Sequence, residues 1–120
     1  MNDFEIVFYD KPDGTEPAKE FILGLDNKMQ AKVLRTIKML ADNGTYLRKP
    51  YSEHLVDGIF EIRAKVGNDI SRVLYFFVIG KRIVLTNGFI KKTQKTPVNE
   101  IDTAKKYRNE YLNREEFNYD

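Results

Sequence analysis

Three apolar, β-branched runs follow one another closely between Ile59 and Phe89, separated by two four-residue breaks, VGND and IGKR. Gly stands at the first central position of each break and suits a two-residue type II′ turn, so the segment predicts two tight hairpins and an antiparallel meander. The first run, Ile59 to Val66, alternates Phe60, Ile62 and Ala64 with Glu61, Arg63 and Lys65, the pattern of a strand with two unlike faces. The second run is ISRVLYFFVI from Ile70, and the third is RIVLTNGF from Arg82. A meander of this kind needs helices to cover it, which restricts the rest of the chain.

The flanking sequence supplies them. Phe4 to Tyr9 reads as a first strand, closed by Asp10, Pro12 and Gly14. Thr15 and Pro17 open a short helix carrying Ala18, Phe21, Ile22 and Leu25. A second helix starts near Asp26, buries a stripe of Met29, Val33, Ile37, Leu40 and Ala41, and stops at Asn43-Gly44. Its other side, Lys28, Lys32, Arg35 and Lys38, reads as a solvated face. Thr45 to Val56, with Pro50 inside it, reads as a loop. Thr96, as N-cap, and Pro97 open a last helix with Ile101, Ala104, Tyr107 or Arg108, and Tyr111 on its buried side, and a tail from about residue 113 reads as frayed. The expected fold is one α+β domain over residues 1–120, order β-α-α-β-β-β-α, with a mostly antiparallel sheet and its helices on one face.

Composition removes much chemistry. The 120 residues contain no Cys and one His, His54, so a thiolate nucleophile, a disulfide and a His- or Cys-rich metal site are excluded within one chain. His54 reads as a loop histidine. No apolar run reaches the roughly 20 residues of a membrane span, and MNDFEIVFYDK lacks the features of a signal peptide; the expectation is a cytoplasmic protein without membrane contact. Catalysis would rest on Lys, Arg, Tyr and carboxylates.

Charge is sorted along the chain despite a formal net charge of only +2. Between Asp69 and Glu100 there is no carboxylate, while Arg72, Lys81, Arg82, Lys91, Lys92 and Lys95 all fall there, which points to an anionic partner, nucleic acid first. A turn centred on Gly67-Asn68 sets Arg63 opposite Arg72, and one centred on Gly80-Lys81 sets Phe89 opposite Arg72 on the next strand, each step about 5 Å. Like charges opposed in a sheet repel, so the pair makes physical sense when an anion sits between them. Glu61 shares the face and can pair with Arg63 or accept a proton; Lys91 follows Phe89 by two. Phe89 offers a base a ring to stack on, with Lys95 and Lys65 on the RNA backbone. Tyr75, on the opposite side, reads as packing.

From His54 to Lys106 the motifs LVDGIFEIR, SRVLYF, GFIKKTQKTP and EIDTA resemble the phage-derived Gp49-like or HigB-like branch of the RelE/ParE toxin superfamily. The resemblance implies a RelE-like fold and the toxin of a type II toxin–antitoxin pair, a ribosome-dependent mRNA endoribonuclease. It also implies a cognate antitoxin, often a helix-turn-helix protein. The toxin would enter the ribosomal A site and cut mRNA without metal or cofactor, the 2′-hydroxyl attacking the adjacent phosphate. RelE-like functional positions match Arg63, Arg72, Lys91 and Lys92. Such members commonly carry Lys where this chain has Glu61, and others use histidines, so the general base stays open between Lys91 and Glu61. The alternatives are a non-catalytic ParE-type toxin that binds a protein such as gyrase, or an inactive RNA-binding module.

Overall fold

The computed structural model describes residues 4–91 and 95–118. The elements are β1 (Glu5–Phe8), α1 (Pro17–Leu23), α2 (Asn27–Asn43), a 3-10 turn (Gly44–Tyr46), β2 (Ser52–Val56), β3 (Ile59–Val66), β4 (Asp69–Val78), β5 (Arg82–Lys91) and α3 (Val98–Asn118). They form an α+β structure around a five-stranded sheet of order β1-β5-β4-β3-β2. Only the β1–β5 pair is parallel; the meander β2 to β5 is antiparallel.

Local chemistry accounts for the helix ends. The Asp26 carboxylate accepts from the Met29 amide at 2.9 Å and caps α2. Gly44 ends it at φ +53°, and a Cβ there would lie 2.1 Å from the Phe4 ring, so both the backbone and the packing require glycine. Thr15 does not cap α1: its amide and hydroxyl both bond to Asp13, and Glu16 holds the cap position.

The expected loop over Thr45 to Val56 is corrected in its second half, where Ser52–Val56 pairs with β3. Asp57 and Gly58 both take positive φ, 53° and 76°, the requirement of a type I′ hairpin turn that Asp-Gly meets well. Pro50 lies before the strand and breaks nothing in it.

The helices do not share one face. Met29, Val33, Ile37 and Leu40 of α2, with Ala18 and Ile22 of α1, pack on Ile62, Ala64, Val73, Tyr75, Ile83 and Leu85. The other face, Ile59, Leu74, Phe76, Val84 and Phe89, is covered by Ala104 and Tyr111 of α3. β4 is apolar on both sides, and a strand with two apolar faces needs cover on both. Gly88 lets α1 approach closely, since a Cβ there would lie 2.4 Å from Phe21. Among the described residues, no helix is long and apolar enough to cross a membrane.

Both predicted register pairs occur: Arg63 opposite Arg72, and Arg72 opposite Phe89. The Gly67-Asn68 turn is the two-residue connection expected, with Gly67 at φ +61°. The second connection differs. Val78 pairs with Arg82, so Ile79, Gly80 and Lys81 form a three-residue loop, and an irregularity between Leu74 and Tyr75 leaves Thr86 as an extra residue in β5. The bulge shifts pairing by one and brings Phe89 back opposite Arg72.

Candidate active site

β3, β4 and β5 present Arg63, Arg72 and Phe89 as one row on the α3 face, with Glu61 beside Arg63. Arg72 and Glu61 are both 0% exposed, and Phe89 is 9% exposed. The Arg63 side chain keeps 20% of its surface.

The guanidinium groups do meet anions, and these belong to the chain itself: Glu61 serves both arginines, and Glu53 holds Arg63 from the β2 side. Arg63 Nε donates to Glu61 Oε2 at 2.5 Å, and Arg63 Nη2 reaches Glu53 Oε1 at 2.9 Å. Glu53 sits on β2 directly opposite Glu61, so two carboxylates and two arginines interleave across β2, β3 and β4. Lys49 Nζ extends the array to Glu53 at 3.7 Å. The Thr96 hydroxyl donates to Glu61 Oε1 and accepts from Arg72 Nη1 at 3.4 Å, joining acid to base over the buried centre. Burial pulls the Arg72 guanidinium below its ordinary pKa; the Glu61 charge opposes that and the Arg63 charge adds to it.

Thr96 thus has a different place from the N-cap expected of it. The helical bonds begin at Pro97, whose carbonyl accepts from Glu100 and Ile101, and the Thr96 side chain turns to the sheet. Phe89 is also placed differently. Its ring belongs to the α3-side core and faces Arg72, with the guanidinium carbon 6.0 Å from the ring centre. Buried in this way, it braces Arg72 by a cation–π contact and presents no open ring to a base.

Lys65 and Lys91 extend the site by one step. They flank Ile70 in the next row of the same face, and both are exposed. Lys95 is exposed before α3. Lys92 lies outside the described residues. Tyr107 stacks on Tyr9 at 4.5 Å, and Tyr111 accepts from Arg82 at 2.8 Å, so these contacts engage both α3 tyrosines away from the arginine row. His54 is on β2, where Nε2 accepts from the Gly58 amide at 3.2 Å and steadies the hairpin turn.

Glu53 and Thr96 were missed in the sequence. The signal for Glu53 was the Asp57-Gly58 turn, which announces the strand but by itself sets His54 opposite Glu61; an irregularity between His54 and Val56 shifts the pairing by one and brings Glu53 there instead. For Thr96 there was no local signal, because Thr-Pro before a helix is an ordinary start.

An α+β protein with arginines opposed across neighbouring strands, interleaved carboxylates and flanking lysines has the groups that phosphate chemistry uses. The chain matches the family described as phage derived protein Gp49-like over residues 20–109, and it belongs to that family. This is the HigB/RelE-like toxin family, whose toxins are of the toxin–antitoxin type and often endoribonucleases, and membership implies a cognate antitoxin. No curated protein matches the chain.

Proposed function

We propose that this chain, acting as a single RelE-like domain in the cytoplasm, is an endoribonuclease toxin that enters the ribosomal A site and cuts translated mRNA. The observation that supports this best is the Arg63–Arg72 pair, opposed across β3 and β4 with the Glu61 carboxylate between. In the proposed reaction the ribose 2′-oxygen forms a bond to the adjacent phosphorus and the bond from phosphorus to the 5′-oxygen breaks. The products are a 2′,3′-cyclic phosphate and a 5′-hydroxyl. The proton leaves the 2′-hydroxyl for Glu61 or Lys91, and the departing 5′-oxygen takes one from water. Negative charge grows on the phosphoryl oxygens along this path, so Arg63, Arg72 and Lys92 stabilise the transition state more than the ground state. No metal or cofactor takes part in this scheme.

Arg72 is fully buried, so a phosphate reaching it must take over contacts that Thr96 and Glu61 now make. The exchange is anion for anion, with phosphate oxygens replacing a carboxylate and a hydroxyl around the same guanidinium groups. The cognate antitoxin, in this reading a helix-turn-helix protein, holds the toxin inactive.

A second reading rests on the same burial. A cationic pair neutralised by its own Glu61 and Glu53 could be purely structural, which suits a non-catalytic toxin that binds a protein such as gyrase. Mapping 5′ ends in a reconstituted translation reaction separates the two. The nuclease leaves discrete new ends within the translated message and none when ribosomes are omitted; growth arrest with an intact message would refute it.

A further inference from the structure

With Phe89 buried, the arginine row lacks an open aromatic ring, and the structure holds one nearby. β2 begins at Ser52, opposite Ile62, so beyond that point the outer edge of β3, away from β4, has no strand along it among the described residues. The chain before β2 and helix α2 close over that edge and leave a cavity of about 300 Å³. Lys32, Thr36, Pro50, Tyr51, Arg63 and Lys65 line most of it. A second hollow adjoins it, sharing Lys32 and Lys65 and adding Lys28 and Arg35.

Three features of this cavity point to a ligand. Its charge is of one sign: no Asp or Glu lines either hollow, and Lys28, Lys32, Arg35 and Lys65 make no ion pair among the described residues. Tyr51 keeps 43% of its surface exposed beside those cations. Finally, Tyr51 is anchored to the arginine row, because its carbonyl accepts from the Arg63 amide at 2.9 Å while its own amide donates to Arg48 at 3.0 Å. Lys32 Nζ donates to the Lys65 carbonyl at 2.5 Å, which holds the helix cation at the mouth. An exposed aromatic ring among cations, carried on an anchored backbone, is the arrangement that grips single-stranded nucleic acid, by stacking on the base and charge on the backbone. An acidic protein segment would use the cations but gives no reason for the ring.

We propose that this cavity is a nucleotide subsite, with Tyr51 the platform for a base flanking the cleaved phosphate and Lys32 and Lys65 the grip on its backbone. The α2 cations Lys28 and Arg35, expected to be a plain solvated face, extend that grip. This deepens the nuclease reading and rests on it for the identity of the strand.

The test is equilibrium binding of a fluorescein-labelled, 2′-O-methylated single-stranded oligonucleotide, which cannot be cleaved by 2′-hydroxyl attack and so reads the subsite apart from catalysis. Tyr51→Ala should weaken binding by about 5- to 100-fold. Tyr51→Phe should keep affinity within about twofold, because the ring is what stacks. Lys32→Gln with Lys65→Gln should reduce the slope of log affinity against log salt by about 1.4, two phosphates at about 0.7 each for a single strand. Thermal melting of each variant confirms folding; for any that fails to fold, Lys28→Gln with Arg35→Gln, both on the helix surface, gives the same salt-slope readout. The proposal is overturned if the wild type does not bind the oligonucleotide, or if Tyr51→Ala leaves affinity unchanged. It is equally overturned if poly-glutamate competes as well as RNA and is lost in the same variants, since the patch then takes protein. Failure of cleavage with binding retained would sink the nuclease reading and leave the subsite standing.

Discussion

Replacing Glu61 by Gln removes one charge from the buried centre and little else. Gln keeps the size of Glu and can still accept from the Thr96 hydroxyl, so shape and that hydrogen bond are preserved while Arg63 and Arg72 lose the carboxylate between them. Arg72 is fully buried and Glu61 is the strongest favourable charge acting on it. Removing one partner of a buried ion pair costs about 3–5 kcal/mol, because the charge left behind is desolvated without compensation. Unfolding entropy of about 2.1 cal/mol/K per residue gives about 0.25 kcal/mol/K for 120 residues, so the lower figure corresponds to a fall in Tm of about 12 °C. Glu53→Gln is the control. Glu53 also pairs with Arg63, but its side chain is 30% exposed, and exposed pairs contribute about 0–1 kcal/mol, at most about 4 °C here. Calorimetric melting of the two variants and the wild type under one buffer reads both effects. Equal shifts for Glu61→Gln and Glu53→Gln, or a Glu61→Gln shift below about 3 °C, would show that the carboxylate does not hold the arginines in place.

Gly88→Ala should destabilise by about 1–3 kcal/mol, since the new Cβ would meet the Phe21 ring at 2.4 Å. Combining it with Phe21→Ala should recover part of that loss, which a double-mutant cycle by urea unfolding measures; strictly additive effects would refute the contact. Burial pushes the Tyr75 phenol up to about 12, while Ser52 bonds to it. The folded chain therefore holds this proton more tightly than the unfolded chain. The associated stability is complete below the ordinary tyrosine value of about 10 and is lost as pH rises toward 12. Tyr75→Phe should flatten the alkaline stability profile in that window, and an unchanged slope between pH 10 and about 12 would count against it.

The meander was legible because its information is local: alternation marks the strands, and Gly67-Asn68 sets the first register by turn chemistry alone. The second register was reached through two compensating departures. The turn at Ile79 to Lys81 is one residue longer than the pattern implies, and the bulge at Thr86 absorbs the difference. Bulges carry no sequence signature as strong as a turn, so this pairing was inferable without its cause being visible. The missing strand β2 was written in Asp57-Gly58 and obscured by Pro50. Which face α3 covers was not legible, because an amphipathic helix states that it has a buried side and not which sheet face receives it. At the site, the cations were visible one by one as charges. The ion pair with Glu53 and the hydrogen bonds of Thr96 join residues distant in sequence, and the burial of Phe89 follows from where α3 docks.

Message cleavage by the wild type and by Arg72→Ala, followed side by side in a translating system as the rate of appearance of 5′-hydroxyl ends, tests most directly whether the opposed arginines serve a phosphate. A folded Arg72→Ala protein, verified by melting, should cleave about 100- to 1000-fold more slowly than the wild type, the cost of losing one preorganised charge donor in the transition state. Cleavage by Arg72→Ala at the wild-type rate would contradict it and leave the buried arginine a structural residue.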